Sequence, residues 1–134
     1  MEKVLVTGAG GYIGTTLVPM LLGKGYAVKA VDRYFFGREL LPEHENLEIV
    51  QQDTRLLDPS LFAGVDHVID LVAISNDPSG EEFSDETYAI NHQSRVKTAE
   101  LAKAAGVKGY ILPSSCSLYG YQAPGVLADD TTPT

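Results

Sequence analysis

The chain has one cysteine and no tryptophan among its 134 residues. Cys116 therefore has no internal disulfide partner, and without a signal-peptide pattern behind Met1 a reducing cytoplasm is the expected compartment. No base stands next to Cys116, which argues against a nucleophilic role. No apolar run approaches the ~20 residues of a bilayer span, so a membrane helix is not expected. Basic charge is scarce as well: 10 Lys and Arg face 18 Asp and Glu, a formal charge of -8. Without a basic run, nucleic acid and anionic membranes are disfavoured as partners. His44, His67 and His92 are scattered with no Cys or carboxylate at ligand spacing, and no metal site is expected.

What is present suffices for one domain with a real core, at 44% hydrophobic residues. Short β-branched runs alternate with helix-length segments, the pattern of an α/β fold: a doubly wound, mostly parallel sheet covered on both faces. Five strands are predicted, Lys3 to Thr7, Ala27 to Val31, Leu47 to Gln51, His67 to Ala73 and Gly109 to Pro113. A first helix is predicted from Tyr12 to Leu22 with Ile13, Leu17, Met20 and Leu21 inward, and Gly23 and Gly25 behind it. Asp58 before Pro59 reads as an N-cap opening a short helix. Ser84 is expected to cap a long helix ending near Ala105, with Tyr88, Val96, Ala99, Leu101 and Ala102 on its apolar face and Gly106 as its stop. Between strand four and that helix lies a polar loop, Ser75 to Glu82, at the carboxyl end of the sheet, where ligands of open parallel sheets sit.

The most informative stretch is V-L-V-T-G-A-G-G-Y-I-G, Val4 to Gly14. A strand runs into a glycine turn and then a helix start, where unpaired N–H groups and the positive dipole end favour a pyrophosphate. Glycines alone also serve ordinary turns. Here Asp32 closes the second strand at about the 20-residue distance of the dinucleotide fingerprint, so Gly8, Gly11 and Gly14 read as a dinucleotide loop. A carboxylate there accepts from both ribose hydroxyls and repels a 2′-phosphate, which favours NAD over NADP. Arg33 beside it is a guanidinium that could partly receive such a phosphate.

The G-x-x-G-x-x-G spacing, with Thr7 before it and Tyr12 and Ile13 inside it, resembles the extended short-chain dehydrogenase/reductase family, in particular its NAD-dependent epimerase/dehydratase group acting on nucleotide sugars. The resemblance covers the whole chain as the N-terminal part of such an enzyme and implies a Rossmann fold lacking its C-terminal strands and substrate subdomain. It implies that Asp53, with Thr54, reaches the adenine; a solvated strand-end carboxylate is the plainer alternative. D-H-V-I-D-L-V-A resembles the strand whose end passes under the cofactor, which would set Leu71, Val72, Ala73 and Ser75 against ribose and nicotinamide. Members often carry His where this chain has Asp70, which is read instead as a structural carboxylate satisfied by backbone donors.

Asn91 matches a family asparagine that orients groups near the nicotinamide. A mid-helix Asn has mediocre propensity, so some compensating contact is expected. His92 reads as helix surface. In S-S-C-S-L-Y-G, Ser115 resembles the family hydroxyl that polarises the substrate oxygen, with Ser117 beside the substrate. Dehydrating members carry acids directly after that serine; Cys116 and Ser117 stand there, favouring an epimerase or ketoreductase.

The family base is a Tyr with Lys four residues on. None of the seven tyrosines has Lys at that distance, and the chain ends at Thr134 shortly after Asp129, Asp130 and Pro133, which resemble the segment preceding that pair. The expectation is a catalytically incomplete N-terminal part, a homodimer in the full-length protein, and an exposed edge at strand five. A non-catalytic dinucleotide sensor is the rival reading.

Overall fold

The computed structural model describes residues 1–75 and 81–134. Five parallel strands form one sheet in the order β3-β2-β1-β4-β5, with β1 Lys3–Thr7, β2 Ala27–Asp32, β3 Leu47–Gln51, β4 His67–Asp70 and β5 Gly109–Ile111. The helices are α1 Tyr12–Gly23, α2 Ser84–Tyr88 and α3 Ser94–Ala104, with a π turn at Ala89–Gln93 between the last two. The strand order reverses direction at β1, so the carboxyl ends of β1, β2 and β4 open onto a common crevice.

Alternation along β1 divides the core between the two sheet faces. Val4 and Val6 pack with Val28, Ala30, Val18 and Leu22, while Leu5 packs with Val31, Val68, Phe62 and Ala102 on the other side. Burying Phe62 fully contributes roughly 1.5–3 kcal/mol by apolar transfer.

Several predicted details differ from the structure. Helix α1 turns Gly14, Val18 and Leu22 inward, while Ile13 and Met20 are exposed. Gly14 decides this rotation: a Cβ on it would stand 2.5 Å from the carbonyl oxygens of Gly8 and Ala9, so only hydrogen fits against the loop. Ser84 does not cap its helix; Phe83 holds the cap position and no side chain bonds there. The long helix is interrupted by the π turn, and its buried stripe is Ser94, Thr98 and Ala102, with Tyr88 and Val96 exposed. Those two hydroxyls are tolerated in the interior because each donates one turn back, Ser94 to the Ile90 carbonyl (2.8 Å) and Thr98 to the Ser94 carbonyl (2.7 Å). Strands β4 and β5 stop at Asp70 and Ile111, short of the predicted Ala73 and Pro113. Asp58 does cap its short 3-10 turn, Pro59–Phe62, accepting from the Ser60 N–H at 2.8 Å. Strand β5 is an edge, with Ile111 and Leu112 exposed. Of the loop predicted from Ser75 to Glu82, residues 76–80 lie outside the described residues.

Candidate dinucleotide site

A cleft of about 300 Å³ lies at the carboxyl end of the sheet, between the glycine loop, the residues that follow β2 and β3, and the segment that follows β4. Its floor is backbone. Gly8 has φ of +71°, a left-handed conformation, and a Cβ there would lie 2.9 Å from the backbone of Leu71 and Val72. The loop therefore sits directly on the wall formed by Leu71 to Ile74. No side chain caps α1, whose cap residue is Gly11, and the helix start is left with backbone groups alone.

The polar end is built on Asp32. Its Oδ1 accepts from the Tyr34 N–H at 2.7 Å and its Oδ2 from the Gly10 N–H at 3.1 Å. Two backbone donors fix the carboxylate at the mouth of the cleft and leave lone pairs for further donors. Tyr34 is held at φ of +53°, its ring lies against Gly10 and its hydroxyl donates to the Ala30 carbonyl at 2.8 Å. Burial, then the Asp32 charge, push that phenol well above the ordinary tyrosine range.

Asp53 is gripped by Arg55, whose Nη2 donates at 2.6 Å and Nε at 3.0 Å, while the Arg33 Nε stands 3.6 Å away. The Arg55 guanidinium holds the Asp53 carboxyl below the usual carboxylate range. Thr54 is buried at the cleft edge, its Oγ1 3.4 Å from the Ser94 Oγ.

The apolar wall is tied down by four hydrogen bonds at three residues. The Leu71 N–H donates to the Thr7 carbonyl (3.0 Å) and Arg95 Nε donates to the Val72 carbonyl (2.7 Å). Asn91 then uses both ends of its amide on one residue: Oδ1 accepts from the Ile74 N–H and Nδ2 donates to the Ile74 carbonyl, each at 2.8 Å. Below the wall, Asp70 is 1% exposed and accepts from Thr7 Oγ1 (2.6 Å) and Tyr110 Oη (2.7 Å), with the Val72 N–H at 3.4 Å. Its satisfaction comes mainly from two side-chain hydroxyls on neighbouring strands rather than from the backbone donors expected.

Of the residues singled out in the sequence, Gly8, Gly11, Asp32, Arg33, Asp53, Thr54, Leu71, Val72 and Ala73 line this cleft. Gly14 is buried beneath the loop. Tyr12 and Ile13 are exposed on α1, Tyr12 at 96%, and Ser75 is exposed past the wall; none of the three lines the cleft. Ser115 and Ser117 also stand apart from it, exposed after β5 with their hydroxyls 2.8 Å from each other, and Ser115 caps the 3-10 turn Cys116–Tyr119. Sequence reasoning missed Gly10, Phe35, Phe36, Gln52, Ile74 and Ile90, which complete the lining. Phe35 and Phe36 are 80% and 87% exposed and stand edge to face; two consecutive aromatics in a solvent loop behind Asp32 were a readable clue.

A glycine floor, an acid with acceptor capacity to spare and an apolar wall are the features a dinucleotide cleft requires. The family model described as NAD dependent epimerase/dehydratase family matches residues 4–134. The chain belongs to this family. Among curated relatives, the Mycobacterium tuberculosis 3 beta-hydroxysteroid dehydrogenase/Delta 5→4-isomerase is 32% identical over 124 residues, covering 88% of this chain and 33% of the relative. Human UDP-glucose 4-epimerase is 33% identical over 140 residues, covering 89% and 39%. Among solved structures, MoeE5 in complex with UDP-glucose and NAD superposes with a TM-score of 0.84 at 32% identity, covering 99% of this chain and 42% of that one. The chain thus spans about two fifths or less of these family members. Among the described residues no helix is long and apolar enough to cross a membrane, and no group of His, Cys, Asp or Glu is placed to hold a metal ion.

Proposed function

We propose that this chain supplies the cofactor half of an NAD-dependent nucleotide-sugar epimerase or ketoreductase. The observation that carries the reading is Asp32: a carboxylate suspended by two backbone N–H groups, on a cleft floored by Gly8 and Gly11. The family's NAD dependence, the UDP-glucose 4-epimerase named among the relatives and the complex of MoeE5 with UDP-glucose and NAD support it.

When bound, NAD supplies a nicotinamide ring that accepts a hydride and returns it. The chain's own part is binding and orientation. Asp32 accepts from the adenosine ribose, and Asp53 with Thr54 borders the adenine. Leu71, Val72 and Ala73 exclude water along the wall, with Ser75 beyond them. Gly14 lets the loop close under the pyrophosphate, while Tyr12 and Ile13 open the helix whose N–H groups face it. Asn91 acts as a positioning residue through Ile74. Ser115 donates a hydrogen bond to the sugar oxygen as charge develops, and Ser117 supports it. The Tyr-Lys pair that moves the proton is assigned to sequence outside these 134 residues, and a homodimer of the full-length protein belongs to the same proposal.

The test is calorimetric titration of the full-length protein with NAD and NADP. Saturable NAD binding is expected, tighter than NADP. Asp32→Asn weakens hydroxyl bonds to a charged acceptor, each worth ~1.5–3 kcal/mol, and should lower NAD affinity roughly 10- to 100-fold. No NAD binding, or an Asp32→Asn variant indistinguishable from wild type, would overturn the cofactor reading. For the substrate, UDP-sugars and a 3β-hydroxysteroid are assayed side by side; turnover of the steroid alone would overturn the sugar assignment. Turnover by the 134 residues alone would remove the need for an outside Tyr-Lys pair.

A further inference from the structure

We propose that Asp53 is a specificity-determining residue for the cofactor, acting by detaining Arg33 so that the guanidinium cannot receive a 2′-phosphate. The inference rests on the dinucleotide reading above. Arg33 directly follows the ribose carboxylate Asp32, and a guanidinium in that place is the natural partner of a phosphate there, through a bidentate charge-assisted contact. Its position decides whether it can serve. The Arg33 Nε stands 3.6 Å from the Asp53 Oδ2, and its guanidinium carbon lies 5.7 Å from the Phe35 ring centre. Its backbone is fixed too, because its carbonyl accepts from Gln51 Nε2 at 3.1 Å. Arg33 is thus paired with Asp53, and Asp32, Arg33 and Asp53 all line the same space.

Asp53 acts twice in this arrangement. It adds a second negative charge facing any 2′-phosphate, beside that of Asp32, and it pairs with the guanidinium that directly follows Asp32 in the chain. Arg55 does not compensate, since its own contacts with Asp53 at 2.6 and 3.0 Å commit it to the same carboxylate. NAD meets none of this opposition, because it presents hydroxyls where NADP presents a phosphate.

The ratio of NADP to NAD affinity isolates the effect, because both cofactors carry the same adenine and any change in adenine contacts cancels. Asp53→Asn is the variant of choice: its carbonyl oxygen can still accept from the Arg55 N–H, as Asp53 does at 2.9 Å, so the following turn keeps its cap. In the full-length protein, calorimetric titrations of wild type, Asp53→Asn, Arg33→Ala and the double variant with NAD and with NADP give the four ratios. Asp53→Asn is expected to raise the ratio about tenfold, equivalent to 1.4 kcal/mol. Adding Arg33→Ala should cancel most of that gain, and Arg33→Ala should lower the ratio more in the Asp53→Asn background than in the wild type. A ratio within twofold of wild type for Asp53→Asn overturns the proposal. So does a double variant that keeps the full gain, because Arg33 would then carry none of the effect. If the wild type binds NAD and either of those results appears, only this proposal falls; if the wild type binds no NAD, the cofactor reading falls and takes the proposal with it. Urea unfolding of Asp53→Asn confirms that the ratio is read on folded protein.

Discussion

Asn91 offers the sharpest test of how the cleft wall is held. Its amide meets the Ile74 N–H and carbonyl in a matched pair, both at 2.8 Å. Each such bond contributes ~1 kcal/mol net, and the half-buried site reduces that through access of water, so Asn91→Ala should cost about 1–2 kcal/mol. Asn91→Asp differs in kind. Its ionised carboxylate still accepts from the N–H but sets an oxygen against the Ile74 carbonyl, acceptor facing acceptor, and should cost at least as much as alanine at pH 7. Protonation changes the sign: a carboxylic acid carries one O–H donor and one acceptor and restores the pairing. The gap between the two variants, measured by urea unfolding with far-ultraviolet circular dichroism, should therefore shift in favour of Asn91→Asp as pH falls toward 4. Differences between variants cancel the acid response of the remaining carboxylates. An Asn91→Asp protein more stable than Asn91→Ala at pH 7, or a gap that ignores pH, would refute the reasoning.

Gly14→Ala should abolish the fold or cost several kcal/mol, because its methyl meets two backbone oxygens, whereas Gly23→Ala, with nothing within 4 Å, should be neutral or stabilising by ~0.5–1 kcal/mol; thermal melts separate them. Tyr110→Phe removes the hydroxyl donated to Asp70 and should destabilise by roughly 1–2 kcal/mol, a hydrogen bond to a charged group discounted for partial exposure. Burial, then the bond to Asp70, raise the Tyr110 phenol above its ordinary value of 10.0. A raised native value means its contribution is complete below about pH 10 and is lost as pH rises further. Unfolding followed from pH 9 to 12 should show a smaller alkaline loss in Tyr110→Phe than in the wild type.

The strands were legible because a parallel sheet buried on both faces demands apolar runs, and β1 and β3 fall where the residues place them. Helix faces were harder. In α1 the apolar periodicity of Ile13, Leu17 and Met20 competes with Gly14, and steric exclusion wins, because two carbonyls at 2.5 Å leave no room for any other residue against the loop. In α3 the buried stripe carries two hydroxyls, which a hydrophobicity pattern passes over although each donates to a carbonyl one turn back, Ser94 into the π turn and Thr98 within α3. The π turn is likewise invisible to a 3.6-residue period. Asn91 sits in it, and the compensation its poor propensity demanded is the Ile74 pair.

The cleft was readable to the extent that backbone made it. Gly8 and Gly11 line it as a glycine turn after a strand suggests, and Asp32 lines it from the end of the second strand. Side chains that act through other side chains were not readable in that way. Asp53 looked like an adenine ligand or a solvated acid, and it is also the centre of a pair of guanidinium contacts, with Arg33 directly after β2 and Arg55 in the 3-10 turn Thr54–Leu56 that follows β3. Asp70 read as a structural carboxylate, but its donors did not, because the two principal ones, Thr7 and Tyr110, are far away in the chain and meet only when β4 is inserted between β1 and β5. That insertion puts the buried carboxylate directly before the wall segment. The same strand order that opens the cleft therefore also supplies the polar anchor beneath it, and the two cannot be varied independently.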